Sequence, residues 1–158
     1  MAKRTNHILV IDDESDSLEM LRLMLTSEGF EVTLASDGRS GIRAAYESHP
    51  DAVLLDVMMP RIDGFEVCRR LRDMTEVPIV FVTAKANIED VVKGFSVGGD
   101  DYITKPYKRS ELTSRLRATL RRSQQESDIE AEALFPADSI MLDCDKHQLT
   151  IRDRTIYL

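Results

Sequence analysis

Residues 8–13, Ile-Leu-Val-Ile-Asp-Asp, place four consecutive apolar side chains directly ahead of two carboxylates. An unbroken apolar run of this length is what a strand buried on both faces requires, and a parallel sheet covered by helices is its usual setting. The same grammar recurs along the chain. Val53-Leu54-Leu55 precedes Asp56, Ile79-Val80-Phe81-Val82 precedes Thr83, and Tyr102-Ile103-Thr104 precedes Lys105. Between these runs lie segments of helical spacing, such as Leu18, Leu21 and Leu25, with Gly29 placed to end that helix in a left-handed conformation. Phe30-Glu31-Val32-Thr33-Leu34-Ala35 alternates polar and apolar residues, as an edge strand would. The expected fold is α/β: a doubly wound five-stranded parallel sheet in the order 2-1-3-4-5.

In such a sheet the C-terminal ends of the strands share one rim, and ligands bind where the strand order reverses, between strands 1 and 3. Asp12, Asp13 and Asp56 end those two strands. Three neighbouring carboxylates repel one another unless a cation sits among them or one is protonated. Mg²⁺ suits such oxygen ligands. Asp56, delivered by a wholly apolar strand, is the candidate nucleophile, since a carboxylate can form an acyl phosphate. Lys105 is a point charge for phosphoryl oxygens and Thr83 a hydroxyl donor to them. A single acid after a strand ordinarily solvates a loop or caps a helix, so the constellation carries this reading. Most X–Pro bonds are trans, so spacing alone gives no support for a cis Lys105–Pro106 bond.

The net charge of -7 over 158 residues argues against a chain whose main task is to coat nucleic acid. Cys68 and Cys144 suggest two reduced thiols rather than a disulfide framework, consistent with a cytoplasmic protein. The N-terminus leads at once into a strand, with no signal peptide expected, and the apolar runs are too short to span a membrane.

Past the fifth repeat the style changes. Leu112, Leu116 and Leu120 mark the buried face of the last helix, and residues 1–122 read as one domain. Residues 123–137 carry four acids and no basic residue and read as a linker. In 138–158, Ile140-Met141-Leu142, Gln148–Arg152 and Thr155–Leu158 read as short strands, with turns at Asp143–His147 and Asp153-Arg154. The chain is expected to stop inside a second domain.

With these residues laid out, the chain resembles the receiver domain of bacterial two-component response regulators over about residues 6–122. The motifs are Ile11-Asp12-Asp13-Glu14, Asp56-Val57-Met58-Met59-Pro60-Arg61-Ile62-Asp63-Gly64, Thr83-Ala84 and Lys105-Pro106-Tyr107. The resemblance implies a flavodoxin-like fold and a switch rather than an enzyme. A sensor histidine kinase would phosphorylate Asp56. Asp13 and Asp56, with the main-chain carbonyl of Met58, would hold Mg²⁺, and Asp12 would help through water. Lys105 would pair with the phosphoryl group. Thr83 and Tyr102 would form a switch pair, Tyr102 moving inward as Thr83 engages the phosphoryl oxygen. Aspartyl-phosphate phosphatases of the haloacid dehalogenase kind use similar residue types, but their two aspartates stand one residue apart after the first strand, whereas Asp12 and Asp13 are adjacent.

The run Gly98–Tyr107 and Glu111–Arg122 resemble regulators that carry a winged-helix DNA-binding domain (the OmpR/PhoB-like branch). That likeness implies a homodimer formed through the fourth helix, fifth strand and fifth helix. Asp100, Asp101, Glu111, Arg115 and Arg122 match its charged pattern, with Asp101 and Arg115 as the expected cross-dimer pair. The pattern departs at Val91, where a basic partner for Glu111 is usual, at Ser96, where an acid is common, and at Gly99, where alanine is usual. Residues 138–158 resemble the small sheet that opens the effector domain. DNA binding would then require the rest of that domain, since no element here is built to enter a groove.

Overall fold

The computed structural model describes residues 4–134, 140–143, 148–151 and 154–157, with side chains over 4–129. Five strands and five helices alternate: β1 (His7–Ile11), α1 (Ser15–Ser27), β2 (Glu31–Ala35), α2 (Gly38–Ser48), β3 (Ala52–Leu55), α3 (Gly64–Arg72), β4 (Ile79–Thr83), α4 (Ile88–Ser96), β5 (Asp101–Thr104) and α5 (Arg109–Leu134). All strand pairs among β1–β5 are parallel, in the order β2-β1-β3-β4-β5. The alternating segment is indeed at an edge, and the unbroken apolar runs of β1, β3 and β4 are central.

Because successive strand residues point to opposite faces, each central strand feeds two cores. Leu9, Ile11, Val53, Leu55, Ile79 and Phe81 pack with residues of α2 and α3. Ile8, Val10, Leu54, Val80 and Val82 pack with Leu18, Leu21 and Leu25 of α1 and Leu112 and Leu116 of α5. Fully burying an aliphatic side chain of this size stabilises the fold by about 1.5–3 kcal/mol. Helix starts follow local chemistry: the side chains of Asp37, Asp63 and Asn87 accept from the backbone N–H of Ser40, Glu66 and Asp90 at 2.8, 2.9 and 2.9 Å. Gly29 ends α1 with φ 91°.

Cys68 is free and buried, and burial pushes its thiol up to about 11. In a Cys144→Ser background the native protein should therefore resist alkylation at pH 8 and react once denatured; rapid modification of the folded form would contradict this burial.

The stretch 123–137, expected as a linker, is helical as far as Leu134, because α5 runs for 26 residues. Acidity was a poor guide here. The segment has no Gly or Pro before Pro136, and Gln124, Gln125, Glu126 and Ala131–Leu134 are strong helix formers. The chain divides into two compact units, Met1–Leu120 and Arg121–Leu158. The second contains an antiparallel sheet in sequence order, β6 (Ile140–Asp143), β7 (Gln148–Ile151) and β8 (Arg154–Tyr157). Cys144, residues 135–139 and the turns expected at 144–147 and 152–153 lie outside the described residues. No helix among the described residues is long and apolar enough to cross a membrane.

Candidate functional site

The sheet ladder continues one residue beyond the strand ends and so fixes three backbones of the site. Asp12 N–H donates to Ala35 O at 3.1 Å, Asp56 N–H to Ile11 O at 3.0 Å, and Lys105 N–H to Thr83 O at 2.8 Å. The carboxylates of Asp12, Asp13 and Asp56 converge, with one oxygen of each lying within 4.8 Å of the others. Asp12 and Asp56 are buried, while Asp13 faces solvent. Lys105 Nζ donates to Asp12 Oδ2 at 3.0 Å and to Asp56 Oδ2 at 3.1 Å. Burial opposes the charge on Lys105, but the hydrogen bond to Asp12 and the charges of Asp56 and Asp12 outweigh it and hold its pKa above the ordinary lysine value.

Three carboxylates against one ammonium leave the cluster net negative. One oxygen of each acid lies close to the others, and these are the hard oxygens a divalent cation takes, so the residues present fit such an ion. Met58 N–H donates to Asp56 Oδ1 at 3.0 Å, which orients that carboxylate from the following turn. Lys105–Pro106 is a cis peptide, which the spacing did not predict.

One residue of the site escaped the sequence reading, and another stood in a quoted motif without a role. Ser17, in the first turn of α1, donates from Oγ to Asp12 Oδ2 at 2.7 Å and stands 3.3 Å from Lys105 Nζ. The only signal was its position five residues after Asp12. Gly64, in the motif following Asp56, opens α3 against the Asp56 backbone. A Cβ there would lie 2.1 Å from Asp56 O and 2.7 Å from Val57 Cα. Only a residue without a side chain lets α3 start so close to the candidate nucleophile.

Thr83 closes β4 and is fully buried; its Oγ1 accepts from Lys85 N–H at 3.3 Å. Tyr102 is buried too, its phenol donating to Lys85 O at 2.6 Å, so the ring already holds the inward position that the resemblance led one to expect only once Thr83 engages a phosphoryl oxygen. Burial, then the charges of Asp90 and Asp56, push that phenol up to about 12, so it remains a neutral donor. Both residues of the expected switch pair thus bond to the backbone of Lys85.

A family model for the response regulator receiver domain matches residues 8–117. The chain belongs to that family. It is 45% identical over 151 residues to the DNA-binding response regulator MtrA of Mycolicibacterium paratuberculosis, covering 96% of this chain and 65% of that protein. It is 41% identical over 152 residues to the response regulator MprA of Mycolicibacterium vanbaalenii, covering 96% and 66%. The chain therefore spans about two thirds of the length of these relatives. Among solved structures, the BeF3-activated N-terminal receiver domain of Klebsiella pneumoniae RstA superposes with a TM-score of 0.71 at 30% identity, covering 73% of this chain and 99% of that one.

On the receiver, the charged residues expected at a dimer face have partners within the chain. Arg115 pairs with Asp101 at 3.3 Å and with Glu111 at 3.7 Å. Arg122 lies further along α5. Asp100 is more firmly engaged: Oδ2 accepts from Arg72 at 2.8 Å and from Ile79 N–H at 2.8 Å. Arg72 also donates to the carbonyls of Gly98 and Val77, so Asp100 belongs to a clamp joining α3 to the α4–β5 loop and to the segment that leads into β4. Val91 is half-buried against the core. Sequence reasoning dwelt on charges and missed an apolar stripe on α4. Ile88, Val92 and Phe95 are 80%, 60% and 48% exposed, and their i, i+4, i+7 spacing was legible. A groove of about 980 Å³ beside the carboxylates, bounded by Met20, Leu23, Met24, Pro106 and Tyr107, was also missed.

Proposed function

We propose that this receiver is a phosphorylation-controlled switch of a two-component system, accepting a phosphoryl group on Asp56 from a sensor histidine kinase. The observation that carries this is Lys105 Nζ at 3.0 and 3.1 Å from Asp12 and Asp56, inside a cluster of three carboxylates. Asp12, Asp13, Asp56 and the Met58 carbonyl would hold Mg²⁺, whose charge offsets that of the transferred phosphoryl oxygens. An oxygen of Asp56 attacks phosphorus, the bond from phosphorus to the donor nitrogen breaks, and the imidazole leaves with the electron pair. Lys105 then exchanges its bond to Asp56 Oδ2 for one to the phosphoryl group. Thr83 turns its hydroxyl to the same group, loosening its bond to Lys85 N–H, and Tyr102, bonded to the carbonyl of the same residue, reports the change to α4. The groove bounded by Met20, Leu23 and Tyr107 offers room for a macromolecular donor beside the acids.

The output in this reading is a homodimer through the α4-β5-α5 face. The α4 stripe of Ile88, Val92 and Phe95 would supply its apolar centre and Asp101, Glu111 and Arg115 its charges, with Asp100 and Arg122 at the margin. Residues 1–122 form the receiver, 123–137 the connection, and 138–158 open a DNA-binding effector through which the parent protein regulates transcription in the cytoplasm. The identity with a DNA-binding relative supports this. Sedimentation velocity tests it. Mg²⁺ with a small phosphodonor should shift the wild-type chain from monomer to dimer and leave Asp56→Ala unmoved. A sedimentation profile indifferent to the donor would instead favour a constitutive interaction module.

A further inference from the structure

Gly94 is the one buried residue of α4. A Cβ at Gly94 would lie 2.8 Å from Tyr102 Cδ2, 3.1 Å from Tyr102 Cε2 and 3.2 Å from Phe81 Cδ2. The Tyr102 ring therefore occupies the volume that a side chain at 94 would take. Backbone conformation supplies no reason for glycine here. Gly94 sits in a helix without a left-handed φ, where alanine is intrinsically preferred. The requirement is for space.

A second glycine completes the slot. A Cβ at Gly99 would lie 2.7 Å from Phe81 Cε2 and 2.8 Å from Gly94 O, again with no positive φ to explain it. Phe81 stands between the two aromatic neighbours, with ring centroids 5.8 Å from Tyr102 and 5.5 Å from Phe65. Phe65 follows Gly64, which abuts the backbone of Asp56. A continuous aromatic row thus runs from the phosphoryl site to Tyr102 beneath α4, and glycines line its outer side. Gly99 stands where the resemblance implies alanine, and the Phe81 ring takes the space that an alanine methyl group would fill.

We propose that Gly94 is a positioning residue for the switch: its missing Cβ is the slot that admits the Tyr102 ring, so that Tyr102 can bond Lys85 and hold the segment after Thr83 to α4. The inference rests on the switch reading above. Adding a methyl group should leave the carboxylate site intact and force the ring outward, separating phosphorylation from its output.

The test uses the full chain labelled with 3-fluorotyrosine, the Tyr102 ¹⁹F resonance being assigned through Tyr102→Phe. In the wild type this resonance should be shielded from a soluble paramagnetic agent, and in Gly94→Ala its broadening should rise several-fold. Labelling of Asp56 by a small phosphodonor should stay within about twofold of the wild type, while donor-driven dimerisation falls at least tenfold. Gly94→Ala should lower Tm with Tyr102 present and leave or raise it in a Tyr102→Ala background, where the slot is empty. A protein that fails to fold as Gly94→Ala but folds as Gly94→Ala/Tyr102→Ala supports the proposal. A shielded ring in Gly94→Ala, an equal Tm loss in both backgrounds, or failure to fold in both overturns it. If the wild type takes up no phosphoryl group, the Asp56 reading fails, and ring shielding with the Tm comparison still judges Gly94.

Discussion

Lys105→Met is expected to cost about 3 kcal/mol of stability in metal-free protein, read as a lowered denaturant midpoint with an unchanged slope. Removing one partner of a buried ion pair leaves an uncompensated charge, and such losses run to about 3–5 kcal/mol. Here one ammonium serves two buried carboxylates, Asp12 and Asp56. The lysine side chain retains 21% exposure, so water can reach part of the vacated space, which favours the lower end. The folded-state pKa of Lys105 lies above its ordinary 10.5, so its contribution is fully present below that value and fades only as pH rises beyond it. The deficit should therefore be constant across neutral pH. Millimolar Mg²⁺ should narrow it, since a cation that binds the folded state stabilises it most where repulsion is greatest. A variant as stable as the wild type without metal would mean that the acids do not depend on Lys105.

Gly64→Ala should damage both the fold and the site. The new Cβ would meet backbone atoms, Asp56 O at 2.1 Å and Val57 Cα at 2.7 Å, rather than a side chain free to turn aside. Overpacking ordinarily costs about 1–3 kcal/mol and occasionally more, and the upper end is expected where strand end and helix start must separate. That separation moves Asp56 itself, so phosphoryl uptake should fall at least tenfold even at temperatures where the variant is folded. Thermal melts and labelling on the same sample check both effects. Normal uptake by a stable Gly64→Ala protein would contradict the close approach.

The strands were readable because parallel strands covered on both faces must be apolar throughout, and the polar residue that ends each run is then delivered to the rim. That logic located Asp12, Asp56, Thr83 and Lys105 from their own neighbours. It could not reach Ser17, whose tie to Asp12 depends on how α1 leaves the rim. Nor could it find the clamp in which Arg72 takes Asp100 from 28 residues away. Local charge pattern suggested a dimer contact there, and only the folded chain shows the intramolecular partner. The stretch 123–137 read as a linker, and its helical form as far as Leu134 went unread because charge was weighed above helix propensity. The α4 stripe was fully written in the sequence and was passed over because the charges around it drew the reading.

The central claim is that Asp56 is the residue that carries the phosphoryl group. Incubation with a small radiolabelled phosphodonor, followed by borohydride trapping and mass mapping, tests it most directly. The wild type should incorporate a single acid-labile phosphoryl group at Asp56, only when Mg²⁺ is present, and Asp56→Asn should incorporate none. Label that persists in Asp56→Asn at the wild-type level, or that maps to another residue in the native chain, would contradict the account.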